Sequence, residues 1–362
     1  MSLQFIMGNS GSGKSYCLYD TVVREAIENP DKNYLVIVPE QFTMQTQKDL
    51  CLAHPKGGIM NIDVLSFGRL AYRVFEEVGQ DARVVLDDEG KNLVLRKIAG
   101  ECEKDLKVFK GNLKKQGYIS EVKSVLSEFA QYGVDFERLD DFMKEVPPES
   151  YLHYKLDDIR TIYEKFEEYL SEKYITKEEM LDVLSDAVPY SDILKGSVVA
   201  MDGFTGFTPV QNRLIGELFS VCEKVMITVT MDGRENPYVY EHPYQIFALG
   251  KQMVTSLMKI AGEKKTEIEE PICLFERPVY RFRDCSEMAF LETELFRYSG
   301  AKYNGSCESV SLHEVRSPGK EAKYVAESIR RLVRTKGYRY RDIAVCSPCK
   351  YRFIFRIIIG II

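Results

Sequence analysis

The sequence predicts an α/β protein whose main body is a parallel sheet covered by helices, and three observations carry that prediction. Short apolar runs bounded by glycine or proline alternate with amphipathic helical stretches near the N-terminus. The alternation breaks off near residue 81, gives way to helical periodicity, and resumes near residue 196. A glycine-rich turn joins the first strand to the first helix, which is where a phosphate-binding loop belongs.

Taken in order, Leu3–Met7 is a short apolar run that reads as a buried strand, broken by Gly8–Gly13. Ser15–Glu28 follows with Leu18, Val22, Val23, Ala26 and Ile27 at helical spacing, and ends before Asn29-Pro30. Tyr34–Val38 is a second strand, stopped by Pro39. Ile62–Leu65 is a third, running into a helix over Phe67–Val78. From about Asp81 to Pro189 strand-like runs disappear. There Ile119, Val122, Val125, Leu126 and Phe129 fall on one helix face, as do Ile159, Ile162, Tyr163, Phe166, Tyr169 and Leu170. Val198–Met201, Gln211–Ser220 and Val225–Thr230 then restore strand, helix, strand. Residues 233–306 carry no clear pattern. Glu321–Lys336 is a helix with Val325, Ile329, Leu332 and Val333 inward, and Ile343–Cys346 is expected as a strand before the apolar tail Arg352–Ile362.

The expected division is therefore a sheet domain from 1–80 plus 196–232, a helical insertion at 81–195, an unassigned connection at 233–307, and the truncated start of a further α/β domain at 308–362. One helix and one strand cannot close a core. Ile329, Val333, Val345 and Phe353–Ile362 are accordingly expected to form an exposed apolar patch.

Formal charge is 49 − 55 = −6, so no global basicity advertises nucleic acid, although a local basic channel is compatible with it. Met1–Met7 is too short and uncharged for a signal peptide, and the longest apolar run falls far short of a membrane span, so a cytoplasmic protein without membrane association is expected. The nine cysteines lack disulfide-framework spacing. Cys346-Ser-Pro-Cys349 is half of a zinc site without a partner pair, and its default reading is structural.

Gly8-Asn9-Ser10-Gly11-Ser12-Gly13-Lys14-Ser15 matches the P-loop pattern G-x-x-x-x-G-K-[ST]. The glycines let backbone N–H groups turn inward around phosphates, and the following helix adds its positive end. Lys14 would reach the β- and γ-phosphates of ATP, and the Ser15 hydroxyl would sit on Mg²⁺. A second magnesium residue is expected at the end of a neighbouring strand, and Val198–Met201 ends in Asp202. The position after it, where an acid would orient attacking water, is Gly203, so no catalytic residue is assigned. Asp-Gly is also a common turn, which is the plain alternative for Asp202.

Strand–GNSGSGKS–helix, LVIVPEQ at Leu35–Gln41, VLSFGRLAYRV at Val64–Val74, MDGFTGFTPVQ at Met201–Gln211 and Lys320–Ser347 together resemble an altered UvrD/Rep-type helicase core. The combination of VPEQFTxQ, SFxRLAxRVFEE and MDGFxxFTPxQ is similar to the N-terminal, helicase-like part of the AddB subunit of the AddAB helicase–nuclease, over nearly all of residues 1–350. The resemblance implies a RecA-like fold and a role in double-strand DNA break repair and recombination beside an AddA motor subunit. It implies nucleotide binding without motor function, and scanning of single-stranded DNA for a hotspot sequence. It covers no nuclease acids or cluster cysteines, so the family's iron–sulfur cluster is not expected here, and Cys346 and Cys349 are not carried over to it.

Phe42, Phe67, Phe204 and Phe207 are candidate base-stacking residues with a core role as the default. Arg330, Arg331, Arg334 and Lys336 are a candidate phosphate patch with a solvated helix face as the default. Two other readings stay open at this point: an active P-loop enzyme such as a nucleotide or small-molecule kinase, and an interaction scaffold with a vestigial loop.

Overall fold

The computed structural model describes residues 1–79, 84–113, 115–170 and 173–346. Cys349 and the tail from Arg352 lie outside the described residues. Two compact units divide the chain, residues 1–284 and 285–362.

The first unit opens with β1 (Ser2–Gly8), α1 (Lys14–Glu28), β2 (Tyr34–Ile37), α2 (Thr43–Ala53), β3 (Ile62–Leu65) and α3 (Phe67–Val78). A largely helical stretch follows: β4 (Val84–Leu86), α4 (Asp88–Glu101), α5 (Gln116–Tyr132), α6 (Phe136–Glu145), α7 (Tyr151–Leu170), β5 (Tyr174–Thr176) and α8 (Glu179–Ala187). Sheet rhythm returns with β6 (Val198–Met201), α9 (Pro209–Val221), β7 (Lys224–Thr230), α10 (Ala248–Lys264), β8 (Glu267–Ile268) and β9 (Ile272–Leu274).

The main sheet runs β3-β2-β6-β7-β1, with β8 and β9 both pairing along the outer edge of β1. Each of these pairings is parallel. Residues 196–230 thus supply two strands that stand between β2 and β1. Alternate residues of each strand serve opposite faces. Leu3, Phe5, Met7, Leu35, Ile37, Val199 and Met201 join one buried cluster with α3, α8, α9 and α10. Ile6, Val36, Val198, Ala200 and Met226 join another, beneath Leu18, Val22 and Val23 of α1. Helices on both faces explain why β2 and β6 are buried at every position and read as unbroken apolar runs.

α4, α5, α6 and α7 close a third cluster of their own, through Leu95, Ile98, Ile119, Val122, Leu126, Leu139, Ile159, Ile162 and Phe166. The expectation that strands disappear here needs correction. β4 and β5 form a short parallel pair that brackets the four helices. Three residues per strand carry too little pattern to be read from sequence.

The second unit contains α11 (Ser286–Glu294) and α12 (Pro318–Lys336). Ser317 caps α12 by accepting from Lys320 N–H at 3.4 Å, Pro318 opens it, and Gly337 ends it. Two expectations fail in this unit. Ile343–Cys346 is not a strand but lacks regular structure, because nothing among the described residues pairs with it. Ile329 is buried with Ala322 and Ala326, and Val333 and Val345 pack partly buried against them, so these side chains do not form the exposed patch.

Among the described residues no helix is long and apolar enough to cross a membrane.

Candidate functional site

β1 delivers its last residue, Gly8, to the edge of the sheet where the parallel strands all end. The chain then turns, with Ser12 N–H donating to the Asn9 carbonyl at 3.1 Å, and enters α1 at Lys14. Gly13 caps that helix from the left-handed region, φ +96°, where a side chain would be strained. No side chain caps the helix and its first turn holds no acidic residue. The backbone donors of the first turn are therefore left facing out of the loop, with the positive helix end behind them. The Ser12 hydroxyl is buried without a hydrogen-bond partner. Donors arranged in this way fit a phosphate chain.

Lys14 holds the loop as well as facing it. Its ammonium donates to the carbonyls of Gly8 at 3.1 Å and Asn9 at 2.9 Å. Sequence reasoning gives Lys14 phosphate contacts, and the structure adds these two within its own loop. Burial lowers its pKa to about 8, with Asp202 opposing that shift and Arg281 adding to it. Ser10 and Ser15 are exposed.

Asp202 follows the last residue of β6 and is buried. One carboxylate oxygen accepts from the Tyr19 hydroxyl at 2.8 Å and the other from the Thr228 hydroxyl at 2.6 Å. Each oxygen keeps a further lone pair, so the group can still accept from water on a cation. Burial, and next the charge of Asp202, push the Tyr19 hydroxyl pKa well up, so Tyr19 stays a donor. Among the described residues no cluster of three His, Cys, Asp or Glu side chains could ligate a metal directly. Gly203 has φ +79°, with space for a Cβ at 3.5 Å from Pro39 Cδ. Backbone conformation, rather than crowding, selects glycine there.

Three of the four candidate stacking residues pack on one another. Phe67 is buried, and its ring lies 5.4 Å from that of Phe204 and 6.4 Å from that of Phe207. Phe42 is about half exposed and is the most exposed of the four. On α12, Arg331, Arg334 and Lys336 are exposed and Arg330 is half-buried.

Sequence reasoning missed the segment after β9. The short turn Tyr280–Phe282 reaches the Gly8–Ser15 loop, where the Arg281 N–H donates to the Gly11 carbonyl at 3.0 Å. A Cβ on Gly11 would stand 2.7 Å from the Arg281 Cβ, so this approach needs glycine. Beside it, the buried Asp232 carboxylate accepts from Arg234 at 2.7 Å and Arg277 at 2.6 Å. Burial would raise the pKa of Asp232, but the hydrogen bonds from Arg234 and the nearby guanidinium charges hold it well below the ordinary carboxylate range. The run FERPVYRFR shows basic and aromatic residues but no periodicity, and its long-range pairing leaves no trace in local pattern.

A family model described as ADDB, N-terminal, matches residues 5–292. Over 351 residues the chain is 42% identical to a subunit of the ATP-dependent helicase/deoxyribonuclease of Lachnoclostridium phytofermentans, covering 96% of this chain and 30% of that protein. Proteins of the same description from Clostridium tetani and Clostridium kluyveri are 33% and 34% identical, again over 96% of this chain and 30% of theirs. The chain thus spans about 30% of the length of the curated relatives it matches.

Proposed function

The chain belongs to the AddB family, and from that premise we propose that it is the nucleotide- and DNA-binding, helicase-derived part of an AddB-type subunit. On this reading it acts in the cytoplasm in double-strand DNA break repair and recombination, paired with an AddA-type motor subunit. It scans single-stranded DNA for a hotspot sequence and meets double-stranded DNA at the break. The names of the relatives, which specify an ATP-dependent helicase/deoxyribonuclease, support this.

The P-loop Gly8–Ser15 would hold ATP, with Ser15 and Asp202 on Mg²⁺. Bound magnesium would shield the phosphate charges, while Lys14 and the first-turn N–H groups would orient them. We read 1–80 and 196–232, joined by α10 and the edge strands β8 and β9, as a RecA-like domain, 81–195 as a helical insertion, and 308–362 as the start of a second RecA-like domain. One observation carries the nucleotide reading: the uncapped first turn of α1 behind a loop whose lysine ammonium is already turned into it.

Hydrolysis is expected to be slight. Gly203 places no carboxylate to orient water, an omission worth ~10²–10⁴-fold in rate. Calorimetry on the parent and Lys14→Ala, with steady-state ATPase assays with and without single-stranded DNA, tests both halves. The parent should bind ATP–Mg²⁺ and turn over near background, and Lys14→Ala should lose binding while still melting cooperatively, at a temperature lowered modestly by the loss of its two loop hydrogen bonds. Because Lys14 has a pKa of about 8, parent affinity should also fall as pH rises through 8 and the ammonium is lost. Equal binding by the mutant would sink the P-loop assignment, and DNA-stimulated turnover would favour an active P-loop enzyme.

A further inference from the structure

The connector between α4 and α5 is a basic segment in an acidic chain. Residues 104–115 hold Lys104, Lys107, Lys110, Lys114 and Lys115 against Asp105, while the whole chain carries −6. Leu106, Phe109 and Leu113 anchor it in the helical cluster, and the Asp158 carboxylate accepts the N–H groups of Lys107, Val108 and Phe109. Tight turns then carry it into α5, with Asn112 N–H donating to the Phe109 carbonyl at 2.9 Å and Lys115 N–H to the Asn112 carbonyl at 3.0 Å. With the apolar side chains turned inward, Lys104, Lys107, Lys110 and Lys115 are exposed. Lys107 pairs with Asp157 at 2.8 Å, but Lys104, Lys110 and Lys115 make no ion pair among the described residues. Arg96 of α4 is exposed beside them, where it shares the lining of a cavity of about 580 Å³ with Leu106, Phe109 and Gly111. Like charges held on a pinned backbone repel one another, and a bound polyanion relieves that repulsion.

We propose that this connector is a docking surface for the phosphate backbone of double-stranded DNA, with Lys104, Lys110, Lys115 and Arg96 as its cationic contacts. The proposal rests on the DNA-binding reading above and names a place where duplex, rather than single strand, is held. Single strands are gripped by charge together with aromatic rings that stack on bases. The connector's own ring, Phe109, is buried, and the exposed ring of Tyr118 is faced by the Lys115 ammonium 6.0 Å from its centre. What the connector presents is charge without a stacking platform. That suits the regular phosphate rows of a duplex, whose contacts position a protein without reading sequence.

The test follows binding of a fluorescent duplex, and of a single strand of the same sequence, to the full chain by anisotropy between about 50 and 200 mM salt. The parent is compared with Lys104→Gln/Lys110→Gln/Lys115→Gln and with Lys110→Gln alone. A control, Lys56→Gln/Lys195→Gln/Lys259→Gln, removes the same charge from exposed lysines elsewhere. The triple connector variant should weaken duplex binding about tenfold or more and lower the salt slope by about 3, one for each lost phosphate contact. Lys110→Gln alone should lower it by about 1. The loss should be alike on duplexes of unrelated sequence, and below about threefold for the single strand and for the control. A duplex slope like the parent's in the triple variant, or equal losses on duplex and single strand, would overturn the proposal. So would an equal loss in the control, which would make the effect one of net charge. Parent-like duplex binding with weakened association to a purified AddA-type subunit would make the patch a protein interface instead. A parent that binds neither DNA refutes the DNA reading itself, and this proposal falls with it.

Discussion

The main sheet and the helices α4–α7 of the first unit both bury ionisable groups, but they bury them in different places. In the sheet, strands covered on both faces have no room for charge along their length, so polar side chains collect where the strands end. Lys14, Asp202 and Asp232 all lie at that one edge. In the helical body, charges sit inside the packing. Asp158 on α7 is buried and accepts three backbone N–H groups, from Lys107 at 2.8 Å, Val108 at 2.7 Å and Phe109 at 2.8 Å. Lys91 on α4 is buried against Glu178 at 2.5 Å and Ser127 at 3.2 Å. Glu167 on α7 and Glu179 on α8 crowd one another. Polar groups gathered at a strand edge stay available to a ligand, whereas those enclosed by helices are consumed in holding the chain. Substitutions in the two places should therefore fail in different assays.

The largest effect on stability is expected at Asp158. Asp158→Ala leaves three backbone donors without their acceptor, and each such loss costs about 1–3 kcal/mol. Denaturant unfolding should show a loss of about 3–5 kcal/mol, while nucleotide affinity below the melting point stays at the parent value. A changed affinity with unchanged stability would break the comparison at its root.

Asp202 belongs to the sheet edge and tests the other side. Asp202→Ala strands the Tyr19 and Thr228 hydroxyls, although Tyr19 keeps Thr46 Oγ1 at 3.2 Å as an alternative. About 2 kcal/mol of destabilisation is expected. The sharper readout is magnesium: ATP affinity should lose most of its Mg²⁺ dependence. Full Mg²⁺ dependence in a folded variant would show that Asp202 is only a buried cap for two hydroxyls.

The smallest effect is a pH dependence in the helical body. Burial, followed by the charge and hydrogen bond of Glu179, pushes Glu167 up to about 7. Unfolded, the same carboxyl titrates near ~4.3. Between those values the folded chain binds more protons than the unfolded chain, so stability falls as pH rises through that window and stays lower above it. Solvent screening limits the loss to on the order of 1 kcal/mol. Glu167→Gln should flatten this slope between pH 4.5 and 7 and leave the variant more stable than the parent at pH 8. An unchanged slope would mean that Glu167 is well solvated and that the helices do not enclose charge as described.

Much of the sheet could be read from sequence because its signals are local. β1, β2, β6 and β7 are apolar runs stopped by glycine, proline or aspartate, β3 runs into the Ser66 cap of α3, and each lies within a residue or so of where the sequence puts it. The order of those strands was not local information, and only the fold places β6 and β7 between β2 and β1. Gly8–Ser15 was legible because its chemistry demands particular residue types at fixed spacing. Arg281 was not, because nothing in its neighbourhood marks it. It meets Gly11 through a backbone bond 270 positions away along the chain, formed once β9 has laid its segment against β1. For the same reason Phe67, Phe204 and Phe207 could be named as aromatic but not sorted into core or surface until their rings met. Periodicity and motif spacing reflect constraints between near neighbours, and these the sequence by itself determined. Which distant side chain stands beside the Gly8–Ser15 loop depends on how sheet edges pair and pack, and only the tertiary structure decided that.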